Sequence, residues 1–132
     1  MMRKFFICFV AIIIAGCNSS APVNIYETEE LKSLSRKDII IGESVWGTTC
    51  FRCHTNGSNG AQALNNSTYW DSVAHKGFDK LYNSVLMGKE GKEGVMPPKG
   101  LCNTCSEHEL KTSVYYLFSL AKKVQEAEKS QN

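Results

Sequence analysis

Two cysteines and a histidine stand together in the run Cys50-Phe51-Arg52-Cys53-His54. The spacing C-x-x-C-H is the pattern by which c-type haem is attached to a polypeptide. Thiols one helical turn apart lie on one side of a helix, where both can form thioether bonds to one edge of a porphyrin. The histidine that follows is then placed beneath the ring, where a nitrogen can ligate the iron. The motif therefore predicts haem bound covalently to Cys50 and Cys53, with His54 as an axial ligand.

Two other chemistries also use a C-x-x-C pair. A thioredoxin-like redox pair needs a strand–helix–strand setting, which the residues around Cys50 do not suggest. A zinc site could combine this pair with the second one, Cys102 and Cys105. That second pair lies about 48 residues further on, which is long for a compact zinc module, and His54 would have no role. Haem is therefore the favoured interpretation, with zinc as the main alternative.

A six-coordinate haem iron needs a second axial ligand, and Met96 is the best candidate. It follows a glycine-rich stretch and precedes Pro97-Pro98, whose fixed backbone angles restrict how far the segment can swing. A thioether favours ferrous iron, so a His/Met pair raises the reduction potential. His75 and His108 are the rival ligands, while Met87 is expected to fill the core.

The rest of the sequence predicts helices joined by long loops. A first helix should begin near Ser35, with Asp38 as a capping partner and an apolar stripe from Ile39 to Trp46. The last helix should begin at Ser106, where Glu109 completes an S-x-x-E capping box, and run to about 123 before a polar tail, 125–132. Shorter helices are predicted at about 68–75 and 78–87, and residues 89–100 are expected to form an irregular loop.

The N-terminus resembles an export signal. A short basic start precedes the apolar run Phe5–Gly16, which is about half the roughly 20 residues needed to cross a bilayer. It closes on Ile14-Ala15-Gly16-Cys17, which resembles the lipobox of bacterial lipoproteins. We therefore expect residues 1–16 to be a signal peptide and Cys17 to be lipidated. An ordinary signal peptide followed by an unrelated cysteine is the alternative.

Composition limits the partners of the mature chain. Removal of residues 1–16 takes away Arg3 and Lys4, which leaves 13 basic and 13 acidic side chains. A nucleic-acid partner would require a concentrated basic face, so none is expected. Residues 17–35 lack an apolar period and are predicted to be a lipidated N-terminus and a flexible tether. The folded domain is expected to span 36–124.

These motifs resemble the class I cytochromes c, and within them the group called cytochrome c-five. The resemblance runs from about Ile41 to Leu120. The run from Gly42 to Trp46 is similar to that family's N-terminal helix, where a glycine lets the helix approach an aromatic residue of the last helix, here Tyr116. The resemblance implies an all-α fold with three to five helices wrapped around one covalently bound haem c.

The segment from Met96 to Ser106 carries the second part of the resemblance. The c-five group has an axial methionine followed by a C-x-x-C pair before its last helix, so the resemblance implies a disulfide between Cys102 and Cys105. The loop that such a bond closes is short, and its entropic contribution is only about 2 kcal/mol. Its expected effect is to stiffen the link between Met96 and the last helix.

Some positions depart from the family's pattern. Gln62 stands where the family has a proline whose neighbouring carbonyl accepts a hydrogen bond from the haem histidine. Val73 replaces an arginine that usually lies near a haem propionate. Trp70 is present, and its indole N–H is expected to reach a propionate, with Lys76 and Lys99 as candidate cations.

The resemblance implies a function of outer-sphere electron transfer. With both axial positions filled the iron cannot bind a substrate, so the chain is expected to be a carrier and not an enzyme. Its partners would be redox proteins met through transient contacts, and its lipid anchor would hold it to a membrane of the bacterial envelope, facing the periplasm. Asn18 follows Cys17 in place of the aspartate read as an inner-membrane signal, which favours the outer membrane. A peroxidase-like enzyme or a gas sensor, with a displaceable sixth ligand, is the alternative.

Overall fold

The computed structural model describes residues 21–131. The predicted signal peptide, residues 1–16, and the lipidation site Cys17 lie outside the described residues. Within them the structure is mainly helical, so the predicted all-α class is confirmed. The α-helices are α1 Glu29–Lys32, α2 Arg36–Val45, α3 Phe51–His54, α4 Ser67–Ala74, α5 Phe78–Met87 and α6 Glu107–Lys129, and two short strands are β1 Lys89–Glu90 and β2 Val95–Met96.

Both predicted capping boxes are formed. The Ser35 hydroxyl accepts a hydrogen bond from the backbone N–H of Asp38, whose carboxylate accepts from the Ser35 N–H. Ser106 and Glu109 make the same reciprocal pair at the start of α6. Each box provides partners for N–H groups that have none within the helix. The predicted starts of these two helices are therefore confirmed.

Helices α2 and α6 pack against each other at Gly42. A Cβ atom at this position would lie 2.5 Å from the Cβ of Tyr116 and 3.1 Å from the Thr112 carbonyl oxygen. Neither atom is the end of a flexible side chain, so neither can move away without shifting α6. The predicted close approach of Gly42 to Tyr116 is confirmed.

Replacement of Gly42 by alanine should therefore destabilise the fold. We expect Gly42→Ala to lower the free energy of unfolding by about 1–3 kcal/mol, the usual cost of overpacking. Gly47→Ala is the matched control, because a Cβ at Gly47 meets no atom within 4 Å. There the gain in helix propensity should leave stability unchanged or raise it by up to about 1 kcal/mol. Chemical denaturation followed by circular dichroism measures both, and equal effects would contradict this packing.

The segment predicted to be a tether is folded from residue 21 onward. Ile25 is fully buried and belongs to the hydrophobic core, and the ring of Tyr26 packs edge-on against Phe118 of α6. A 3-10 turn at Ile25–Glu27 and the short helix α1 hold this segment against α6. The expected tether of residues 17–35 is therefore wrong for its described part, where Ile25 lies in the core and Tyr26 and Leu31 pack against it.

We expect Ile25→Ala to cost about 2–5 kcal/mol of unfolding free energy, because it removes a fully buried side chain from the core. Val23→Ala is the control, since Val23 is 57% exposed and its truncation should change stability by less than about 0.5 kcal/mol. Equilibrium denaturation would measure both variants. If both substitutions changed the stability equally little, residues 21–35 would after all be a flexible tether.

Four further expectations need correction. Helix α6 continues to Lys129 and buries Gln125, so the polar tail starts later than predicted. Ile39 and Ile40 are exposed, because the helical period places Gly42 and Val45 on the side facing α6. Met87 is also exposed and does not fill the core. Residues 89–100 contain a small antiparallel hairpin in which Lys89 pairs with Met96 and Glu90 with Val95.

Candidate haem site

The C-x-x-C-H motif lies at the end of one long helical stretch. After α2 the chain makes a π-helical turn, Trp46–Cys50, and runs on into α3 without leaving right-handed helical backbone angles. Trp46 is buried in the core and anchors this turn. π-helical turns are rare in proteins as a whole, but those that occur are often found at functional sites.

A cavity of about 810 Å³ opens beside the motif. Its wall includes Cys50, Cys53 and His54, and Met96 reaches it from the hairpin. The volume lies within the range of about 300–1,000 Å³ that is usual for cofactor sites. The structure therefore brings the four predicted iron-binding and haem-binding residues to one cavity, although Met96 lies more than forty positions beyond His54 in the sequence.

One nitrogen of the His54 imidazole takes part in a hydrogen bond within the chain. Its Nδ1 lies 3.0 Å from the carbonyl oxygen of Gln62. A carbonyl can only accept, so Nδ1 carries the proton and Nε2 keeps its lone pair for a metal. Burial lowers the pKa of His54, and the hydrogen bond to Gln62 opposes that shift only in part. The neutral ring that iron ligation requires is therefore favoured.

The thiols of Cys50 and Cys53 are not joined to each other. The Thr49 hydroxyl lies 3.3 Å from the Cys50 sulfur, and the Asn59 side-chain amide donates to the Cys53 sulfur at 3.7 Å. Burial raises the pKa of the Cys50 thiol. A raised thiol pKa is the opposite of what a redox-active cysteine nucleophile requires.

The second cysteine pair forms a disulfide. Cys102 and Cys105 are bonded with their Cα atoms 5.4 Å apart, in the segment that leads into α6. Their sulfurs are therefore not available as thiolates. Within residues 21–131, no group of three or more histidine, cysteine or acidic side chains could hold a metal ion. The geometry does not support the zinc alternative.

The hairpin that carries Met96 rests on the loop that follows His54. A methyl group at Gly94 would collide with the carbonyl of Asn59, and one at Gly60 would lie 2.5 Å from the carbonyl carbon of Glu93. The two segments thus meet backbone to backbone. Asn59, Gly60, Glu93 and Gly94 all line the large cavity, so this contact forms part of its wall.

Of the three residues predicted to contact the haem propionates, one lines a cavity together with the predicted haem ligands and two do not. Lys99 lines a small cavity next to Cys50, His54 and Met96. Trp70 is buried, and its indole N–H, predicted to reach a propionate, donates to the Ala63 carbonyl at 2.7 Å. Lys76 is exposed beyond the end of α4 and does not line either cavity.

The rival histidines lie elsewhere. His75 is exposed and contacts the side chain of Asn24 at 3.3 Å, while His108 is exposed and lies 3.7 Å from the Asp38 carboxylate. Neither lines the cavity. Sequence reasoning missed the contacts of Thr49 and Asn59 with the cysteine sulfurs, because a single polar residue in a loop gives no signal of its partner.

Comparison with known proteins identifies the family. A model of the family described as "Cytochrome C oxidase, cbb3-type, subunit III" matches residues 37–117, which is more than half of the chain. The chain belongs to this family. It is a mono-haem c-type cytochrome of class I, as the sequence motifs predicted. The cytochrome's cofactor is therefore covalently bound haem c, and the cavity with its two free thiols and its correctly protonated histidine fits that group.

Individual relatives agree with this assignment. The cytochrome is 25% identical over 85 residues to cytochrome c-555 of Chlorobaculum tepidum, covering 64% of this chain and 79% of the relative. It is also 25% identical to cytochrome c-555 of Chlorobaculum thiosulfatiphilum, covering 64% and 99%. Cytochrome c5 of Azotobacter vinelandii is 35% identical over 75 residues, covering 55% and 86%. These similarities support an electron-carrying role.

No helix within residues 21–131 has the length and apolar character needed to cross a membrane.

Proposed function

We propose that this cytochrome is a single-haem electron carrier in which Cys50 and Cys53 hold the haem and His54 and Met96 are its axial ligands. The observation that carries the proposal is that one cavity is lined by all four side chains. They come from two parts of the chain: Cys50 ends the π-helical turn and Cys53 and His54 end α3, whereas Met96 ends β2. The haem, when bound, supplies a one-electron couple between ferrous and ferric iron.

The protein's own residues would restrict what that iron can do. The Gln62 carbonyl orients His54, and the Pro97-Pro98 pair and the hairpin contact at Gly94 limit the movement of Met96. If His54 and Met96, whose movement is restricted in this way, fill both axial positions of the haem iron, no coordination site would be free for a substrate. The arrangement therefore favours outer-sphere electron transfer to a partner protein through a brief contact.

The proposal extends to the location of the protein. The apolar run ending at Cys17 is the support for export and for a lipid anchor. Such an anchor would confine the carrier to the membrane surface of a bacterial envelope, facing the periplasm, and Asn18 favours the outer membrane. Mass measurement of the mature N-terminal peptide tests this directly. A chain that begins at Cys17 with attached acyl groups is expected, and an unmodified Cys17 would refute the anchor.

The optical spectrum of the oxidised holoprotein tests the proposed ligation. We expect a low-spin haem with the weak long-wavelength charge-transfer band of methionine-to-iron(III) bonding, and no spectral change of the reduced protein under carbon monoxide. A high-spin spectrum, or ready binding of carbon monoxide, would instead indicate an open sixth position and favour an enzyme or a gas sensor.

A further inference from the structure

Two hydrogen bonds join the loop at residues 62–64 to His54, one to its side chain and one to its backbone. The Gln62 carbonyl accepts from the imidazole Nδ1–H at 3.0 Å, and the Leu64 N–H donates to the backbone carbonyl of His54 at 2.9 Å. The side-chain bond is the one that sets the direction of the ring. The orientation of His54 therefore depends on where the Gln62 carbonyl is held.

The side chain of Gln62 ties this residue to the start of α4. Its Oε1 accepts a hydrogen bond from Asn66 Nδ2 at 2.8 Å. Asn66 is the N-cap of α4, where its Oδ1 accepts from the backbone N–H of Tyr69 at 3.1 Å. A backbone N–H can only donate, so this second bond fixes which end of the Asn66 amide faces Gln62. One asparagine thus caps a helix and secures the residue that orients His54.

We propose that the Gln62–Asn66 side-chain bond is a positioning device that keeps the Gln62 carbonyl on His54 Nδ1 and thereby lowers the haem reduction potential. This inference rests on the proposed function, in which His54 ligates the iron. A hydrogen bond from Nδ1–H to a carbonyl makes the imidazole a more basic ligand. A more basic ligand stabilises ferric iron over ferrous iron, so loosening the bond should raise the potential.

Two substitutions remove the same bond from opposite ends. Gln62→Met has a side chain of similar length without the amide acceptor, and Asn66→Ser keeps a helix cap but is too short to reach Gln62. In the holoprotein we expect each variant to raise the potential and to speed deuterium exchange of the His54 Nδ1 proton several-fold by NMR. The double variant should show no further shift, because both single changes remove one interaction.

Further variants distinguish a positioning role of the Gln62–Asn66 bond from a general loosening of the chain around it. Ser58→Ala removes an exposed hydrogen bond to Asn56, between His54 and Gln62 in the chain, and should change neither the potential nor the exchange rate. Gln62→Glu keeps an acceptor for Asn66 and should restore slow exchange. An unchanged potential in Gln62→Met, or additive shifts in the double variant, would overturn the inference while leaving the proposed function intact. A wild-type protein without His54-ligated haem would overturn both.

Discussion

Protein in which Cys50 and Cys53 are both replaced by alanine should carry no covalently attached haem when produced in a host that matures c-type cytochromes. These two thiols are free and line the large cavity beside His54. Without them the porphyrin has no thioether bonds, and any haem that enters would be lost to acid–acetone extraction. Absorbance of the extracted protein at the Soret band measures the loss, which we expect to be nearly complete.

The second cysteine pair is the matched control for this experiment. Cys102 and Cys105 have the same spacing but are joined in a disulfide near the start of α6. Their double alanine variant should keep its haem and lose about 2 kcal/mol of stability at most. If the two double alanine variants were equally impaired and the purified wild-type protein were colourless, the zinc interpretation would replace the haem one.

Replacement of Met96 by alanine should abolish the long-wavelength band of the oxidised protein and lower the reduction potential. Met96 lies in β2, half-buried and facing the same cavity as His54. Loss of the thioether removes a ligand that favours ferrous iron. Axial ligands shift haem potentials over a span of about 0.8 V, so a fall on the order of 0.1 V or more is expected. Spectroelectrochemical titration measures both quantities.

Met87→Ala is the control for that substitution. Met87 ends α5 and is 66% exposed, so its removal should leave the band and the potential unchanged. Should Met96→Ala keep the band while another variant loses it, the sixth ligand would have to lie elsewhere. The positions of His75 and His108 outside the cavity make them poor substitutes.

The sequence was most informative where a local rule connects residue types to geometry. The capping boxes at Ser35 and Ser106 fixed two helix starts, because a capping side chain and its partner lie only three residues apart. Helix α5 spans Phe78–Met87 as predicted, since Gly77 and Gly88 bound a run with apolar spacing. The contact of Gly42 with the last helix came from the family resemblance, and the missing Cβ supplied its physical reason.

The sequence was least informative where the partner is distant or belongs to the backbone. Ile25 and Tyr26 lie in a mostly polar stretch, and Phe118, on which the Tyr26 ring packs, lies far along the chain. No residue type marks a backbone carbonyl as an acceptor, so neither the Gln62 contact with His54 nor the Ala63 contact with Trp70 could be assigned in advance. Strands of two residues, such as β1 and β2, are too short to show a period.

The central claim is that the sulfurs of Cys50 and Cys53 are bonded to porphyrin, and mass spectrometry of proteolytic fragments tests it most directly. Protein purified from a host that matures c-type cytochromes should give one fragment containing residues 50–54 that is heavier by the mass of one haem. The fragment containing Cys102 and Cys105 should be lighter by two hydrogens, as a disulfide requires. A 50–54 fragment with two free thiols, and no haem elsewhere, would contradict the account.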